Sequence, residues 1–211
     1  AYIRIPPPSV AERHEPVRPL AQIAAQPAFI VAVTGSALGY GVMSLLMTAT
    51  PLAMGLCGHP YSSAATVIQW HVIGMFAPSF VTGSLIKRFG VLRIMLAGVA
   101  LEALCVGIAL SGAQVVNFWW ALLILGVGWN FLYVGGTTLL TECYRVSEKA
   151  KAQGTHDFLV FLTTASSSFS SGLLMNRNGW DMLNYAALPV LAVIAAAIAW
   201  LALRRRAGVA A

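Results

Sequence analysis

The stretch Gly83-Ser84-Leu85-Ile86-Lys87-Arg88-Phe89-Gly90-Val91-Leu92-Arg93 packs three basic residues into a short segment between two long apolar runs, 62–86 before it and 91–112 after it. A helix needs about 20 apolar residues to cross a bilayer core. Each run is therefore long enough to span, and the basic cluster marks a turn at one membrane face. Gly83 and Gly90 flank that turn, where a residue without Cβ can take positive φ and let two backbones come close.

Four further apolar runs lie outward from this turn, at 28–54, 118–142, 156–175 and 182–203. Arg4, Arg13 and Arg18 precede the first span, and Arg145, Lys149 and Lys151 separate the fourth from the fifth. Arg204, Arg205 and Arg206 follow the sixth. With Lys87, Arg88 and Arg93, these make twelve of the thirteen basic residues on one side, leaving only Arg177 on the other. Six crossings are the arrangement that keeps every cluster together, and the positive-inside bias puts that side, with both ends of the chain, in the cytoplasm. The expected fold is an all-α membrane protein, a six-transmembrane-helix bundle over 28–203. A cytoplasmic linker with a short interfacial segment covers 1–27, and a cytoplasmic tail covers 204–211.

Composition agrees. Of 211 residues, 58% are hydrophobic and 9% are charged, against about 25% charged in soluble domains. The mean hydropathy of +0.76 suits a chain apolar both inside and out because lipid surrounds it. The runs are continuous and rich in Ala, Leu, Gly and Val, without the alternation in ten-residue segments of a membrane barrel. A net charge of +6 raises the question of a nucleic-acid partner. The basic residues instead fall in short clusters between spans, as topology requires, so none is expected. Cys57, Cys105 and Cys143 lie in three different segments and offer neither a disulfide framework nor metal-ligand spacing. Pro6, Pro7, Pro8, Pro16 and Pro19 mark the first residues as a linker. The chain begins at Ala1 with neither an initiator Met nor a leader, so a missing preceding segment is expected.

The turn also carries a resemblance. Gly83, Leu85, Arg88 and Gly90 match the major facilitator superfamily signature G-x-L-x-D-R-x-G-R-[KR], with Lys87 in place of the acid and Val91 in place of a base. The segment from Glu148 to Gly154 is similar to the E-R-x-x-A-x-G loop of the same family. Arg18-Pro19-Leu20 followed by Pro27-Ala28-Phe29 resembles the end of its long central cytoplasmic loop. The signature is degraded in the second half of family members, so the resemblance implies helices seven to twelve, one half of the fold. Its partner is the N-terminal six-helix half, absent from this sequence, with solute held between the halves. A natural half that pairs with a second copy is the alternative.

By the same resemblance the first and fourth spans line the cavity. The first carries Ser36, Tyr40, Met43, Met47 and Thr50 at spacings that share one helical face, and the fourth carries Gly126, Asn130, Tyr133 and Thr137, with Trp129 beside them. Such stripes suit a small-molecule pocket with aromatic walls and a few orienting polar groups, or equally interhelical packing. In the second span Gln69 and His71 sit near mid-membrane on opposite faces, where polar groups are costly unless paired or wet. Gln69 is a candidate for the half-interface and His71 for proton uptake. Glu102 in the third span and Asp157 at the start of the fifth are the other proton-coupling candidates. Lys87, Arg88 and Arg93, with Gly83 and Gly90, form a candidate gate loop. The Thr and Ser run from Thr163 to Ser171 gives the fifth span a small surface suited to close helix contact.

The expected activity is secondary active transport of a small solute across the cytoplasmic membrane by alternating access, coupled to protons, with no cofactor or metal. No Gly-x-x-x-x-Gly-Lys element is present. One alternative is the six-helix substrate-binding subunit of a multi-subunit importer. An intramembrane enzyme is disfavoured, because the serines of the fifth span lack a Gly-x-Ser-Gly element and the fourth and sixth spans contain no His.

Overall fold

The structure is a computed structural model and describes residues 17–209. Arg4, Arg13 and the prolines at 6, 7, 8 and 16 lie outside the described residues, as do the last two residues of the tail. The described chain is helical and without strands: α1 (Leu20–Ala24), α2 (Pro27–Leu56), α3 (Tyr61–Phe76), α4 (Ser79–Phe89), α5 (Val91–Leu110), α6 (Val115–Leu140), a 3-10 turn (Val146–Glu148) and α7 (Lys149–Val209). Pro27 starts α2, where its missing N–H costs nothing and its fixed φ already suits a helix.

By length and composition α2, α5, α6 and α7 each suffice to cross a bilayer, and α3 with α4 forms a fifth span bent by 41°. Pro78 explains the bend, because it lacks the N–H that would continue the ladder. At 61 residues α7 is far longer than one crossing needs. Its backbone leaves the helix at Gly179, with φ 77° and ψ 179°. The contacts of its two limbs show that it doubles back. Its start lies at Glu148, which binds Arg18; Trp180 donates to the Ala109 carbonyl at the end of α5 (3.2 Å); and Arg205 returns to Glu142 (2.6 Å). The described chain thus traverses the bundle six times. The fifth and sixth runs of the sequence lie within limbs that extend further, to residue 149 and to residue 209.

Helices in lipid associate by close packing and hydrogen bonds because lipid tails are as apolar as leucine. Gly74 and Gly126 bring α3 and α6 to backbone contact: a Cβ on Gly126 would stand 2.5 Å from the His71 carbonyl oxygen, and one on Gly74 2.5 Å from that of Leu123. Between α2 and the first limb of α7 the serines perform the same service. Ser44 and Ser168 share a hydrogen bond (2.6 Å), and the Ser171 hydroxyl donates to the Leu45 carbonyl (2.7 Å).

The turn around Lys87 and Arg88 is only partly as expected. Gly90 has φ +88° and joins α4 to α5 with no other residue between them. Gly83 lies inside α4, and a Cβ there would meet nothing within 4 Å, so neither positive φ nor close approach requires a glycine. Lys87 and Arg88 belong to the last turn of α4, not to a loop, and face the negative end of the helix dipole.

At this basic end the linker is tied to the bundle. The buried Glu148 carboxylate accepts from the Arg18 guanidinium (2.7 and 2.8 Å) and from the backbone N–H groups of Arg145 and Arg18 (3.0 Å each). The Arg18 side-chain bond, followed by the Arg145 backbone N–H, holds this carboxyl far below the usual carboxylate range. Arg18 and Gln26 also donate to the Cys143 carbonyl (3.0 and 2.8 Å), closing the end of α6 against α1 and α2.

Candidate functional site

Packing of α2 against α6 joins the two stripes at their aromatic members. Tyr40 meets Trp129 edge-on with ring centroids 5.1 Å apart and Tyr133 at 5.7 Å, while Trp129 and Tyr133 stack at 5.2 Å with planes 7° apart. Phe76 of α3 adds a fourth ring, 6.1 Å from Trp129. Tyr40 and Tyr133 are half-buried and Phe76 is exposed, so the cluster reaches the bundle surface. The Tyr40 and Tyr133 hydroxyls make no hydrogen bond among the described residues, and the Trp129 indole N–H is buried without an acceptor.

Seven residues from Tyr40 along α2 comes Met47, and seven from Phe76 along α3 comes Gln69. Seven residues are two helical turns, about 10 Å, so both pairs keep to the same faces. Met47 and Gln69 line one groove of about 450 Å³ with Thr48, Pro51, Tyr61 and Ile68. The groove thus lies along the same faces of α2 and α3 as Tyr40 and Phe76, about two turns away, with Gln69 exposed on it.

Other members of the stripes turn away from this face. Asn130 is 1% exposed and spends its amide on the α3–α4 break: Nδ2 donates to the Met75 carbonyl and to Ser79 Oγ (2.7 Å each), and Oδ1 accepts from Thr82 Oγ1 (2.7 Å). It secures the bend, with both ends of its amide bonded to α3 and α4. The Thr137 hydroxyl donates to the Tyr133 and Val134 carbonyls of its own helix. Met43 is sealed in the core, and Ser36 is buried against Gly136.

The three coupling candidates do not converge. His71 is fully buried, and its Nδ1 lies 2.7 Å from the Leu122 carbonyl. A carbonyl can only accept, so that nitrogen carries a hydrogen. Its Nε2 has no partner among the described residues, and the exposed face belongs to Gln69, two residues earlier. Glu102 is fully buried where α5 meets α6: a Cβ on Gly128 would stand 2.9 Å from its Cγ, and neither of its oxygens has a partner among the described residues. Asp157 is exposed at the basic end beside buried His156, whose Nδ1 lies 3.0 Å from Oδ1. Reasoning from sequence overlooked Phe76, Ser79 and Thr82. Pro78 is a sequence signal for the bend that places all three, but no spacing points to their partners on α6.

A family model described as Major Facilitator Superfamily matches residues 32–210. The riboflavin transporter RfnT of Brucella anthropi is 45% identical over 181 residues, which cover 86% of this chain and 46% of the relative. Two uncharacterized MFS-type transporters of Bacillus subtilis, YddS and YdeG, are 33% and 34% identical, covering 75% and 69% of this chain and 37% and 34% of their own lengths. The chain thus spans less than half the length of the curated relatives it matches. With the family model matching nearly the whole described bundle, the chain belongs to the major facilitator superfamily.

Proposed function

We propose that this chain is the second six-helix half of a secondary transporter in the cytoplasmic membrane, and not an importer subunit or an enzyme. Its aromatic face forms one wall of a cavity closed by an N-terminal half. Two features support the half: the chain's share of its relatives' length, and an exposed face that combines ring edges, a polar amide and a groove. The basic end is cytoplasmic under the positive-inside bias, and the first described residues belong to a linker from the missing half. Transport proceeds by rocking of one half against the other around this face.

The observation that carries the reading is the stacked Trp129–Tyr133 pair bordered by Tyr40 and Phe76. Flat rings in this arrangement suit a planar heteroaromatic solute, which stacks or packs edge-on as aromatic side chains do. The Tyr40 and Tyr133 hydroxyls are left to orient its polar edge. Riboflavin, named for the Brucella anthropi relative, has this chemistry and is the solute we assign. Expressed in a riboflavin-auxotrophic bacterium, the complete natural protein restores growth on low external riboflavin. Tyr133→Ala at matched expression raises the KM for uptake about three- to tenfold, the loss of one aromatic contact, while Tyr133→Phe stays within twofold if stacking outweighs the hydroxyl. No uptake by the wild type rejects the solute, and an unchanged KM in Tyr133→Ala rejects the face. In vesicles, riboflavin flux follows an imposed pH gradient; indifference to that gradient rejects proton coupling.

A further inference from the structure

A second groove, of about 310 Å³, lies at the basic end between the first turn of α5 and the end of α7. Arg93, Arg205 and Arg206 line it together with Leu92, Leu96 and Ala202, and no acidic residue does. Arg205 uses one nitrogen on Glu142 (2.6 Å), with both side chains near half exposed. Arg93 and Arg206 are exposed and have neither ion pair nor hydrogen bond among the described residues. Three guanidinium groups in one groove, two of them unneutralised, call for an anion. Phosphate oxygens match the guanidinium fork better than a single-point acceptor does. Val91 to Arg93 are the opening residues of a 20-residue helix, so the positive end of its dipole adds to the same field.

Two flanking contacts fix the level of this groove. The Arg204 guanidinium sits over the ring of half-exposed Trp200 at 4.8 Å, and that of Arg88 over exposed Phe89 at 5.2 Å. Trp is a side chain that settles at the boundary between lipid tails and headgroups, and a cationic head above it reaches the headgroup layer. The groove therefore opens at headgroup depth, and its apolar wall of Leu92, Leu96 and Ala202 runs from there toward the tails. We propose that it binds one anionic glycerophospholipid, the phosphodiester held by Arg93 and Arg206 with help from Arg205, and the first part of an acyl chain lying along Leu92 and Leu96. The apolar wall is what selects a lipid over free phosphate, which would leave that wall bare. This site is separate from the aromatic face and stands whether or not riboflavin is the solute.

The complete protein, purified in a mild detergent, is mixed with equal amounts of phosphatidylglycerol and phosphatidylcholine, and retained lipid is counted by native mass spectrometry. Wild type retains phosphatidylglycerol in preference. Arg93→Gln with Arg206→Gln loses that preference by about fivefold for each arginine removed. Both side chains are exposed, so folding is unaffected, and an unchanged melting temperature verifies this. Arg177→Gln, at the opposite end, retains the lipid as wild type does, and millimolar inorganic phosphate does not displace it. Equal retention of the two lipids, undiminished preference in the double variant, an equal loss in Arg177→Gln, or displacement by phosphate each overturns the proposal.

Discussion

Gly126→Leu is expected to lower the stability of the bundle by about 1–3 kcal/mol or beyond, the cost of forcing extra bulk into a closed contact. A Cβ at this position would stand 2.5 Å from the His71 carbonyl oxygen, 2.8 Å from Met75 N and 2.9 Å from Gly74 C. All three are backbone atoms of α3, so no side chain can swing aside and the two helices must separate. Separation also stretches the His71 bond to the Leu122 carbonyl and leaves a second buried nitrogen without a partner. The effect appears as a lower melting temperature and a smaller folded yield of the complete protein in detergent. Gly83→Leu is the matched control, since nothing lies within 4 Å of the same atom there. A Gly126→Leu protein that melts with the wild type contradicts the close approach of α3 and α6.

Asn130→Leu keeps the number and branching of the side-chain heavy atoms and removes three hydrogen bonds, to Met75, Ser79 and Thr82. Interhelical hydrogen bonds in membranes average about 0.6 kcal/mol, so stability falls by about 2 kcal/mol. The larger consequence is functional. The bonds cross the break at Pro78 and hold α3 and α4 at their 41° angle, and this bend sets where Phe76 stands against Trp129. Without it the working conformation is less populated. Vmax for the proposed transport falls on the order of tenfold, the equivalent of about 1.4 kcal/mol, while KM changes little because the amide is already committed to α3 and α4. A raised KM with Vmax intact makes Asn130 a solute ligand and overturns the assignment made from its geometry.

The course of the chain through the membrane was legible because it depends on two one-dimensional signals, the lengths of apolar runs and the placing of Lys and Arg. Even the hairpin at Gly179, between the two limbs of α7, is marked by Arg177 alone at the far end. Helix ends were less legible. The apolar signal fades before the helix does, so Lys87, Arg88 and the first turns of α7 read as loop although they are helical. At the candidate site, periodicity identified the faces of α2 and α6 but not what each residue meets. Tyr40, Tyr133 and Trp129 came together because their stripes face each other. Asn130 sits on the same stripe, yet its partners are carried by α3 and α4 and depend on a bend whose direction no spacing rule supplies. His71 and Glu102 drew attention as polar groups in apolar spans; only packing shows that both are closed off from the exposed face.

Alternating access to the aromatic face is tested most directly by labelling residue 69. Gln69 is exposed on the groove, whereas Cys105 and Cys143 are buried, so exposed Cys57, together with any accessible cysteine outside this chain, is replaced before Gln69→Cys is introduced into the complete protein. In membrane vesicles of each orientation, the new thiol is predicted to react with a membrane-impermeant maleimide from either side, as the proposed opening of the cavity to both sides in turn requires. Reaction from neither side, as for a residue facing lipid, contradicts the account.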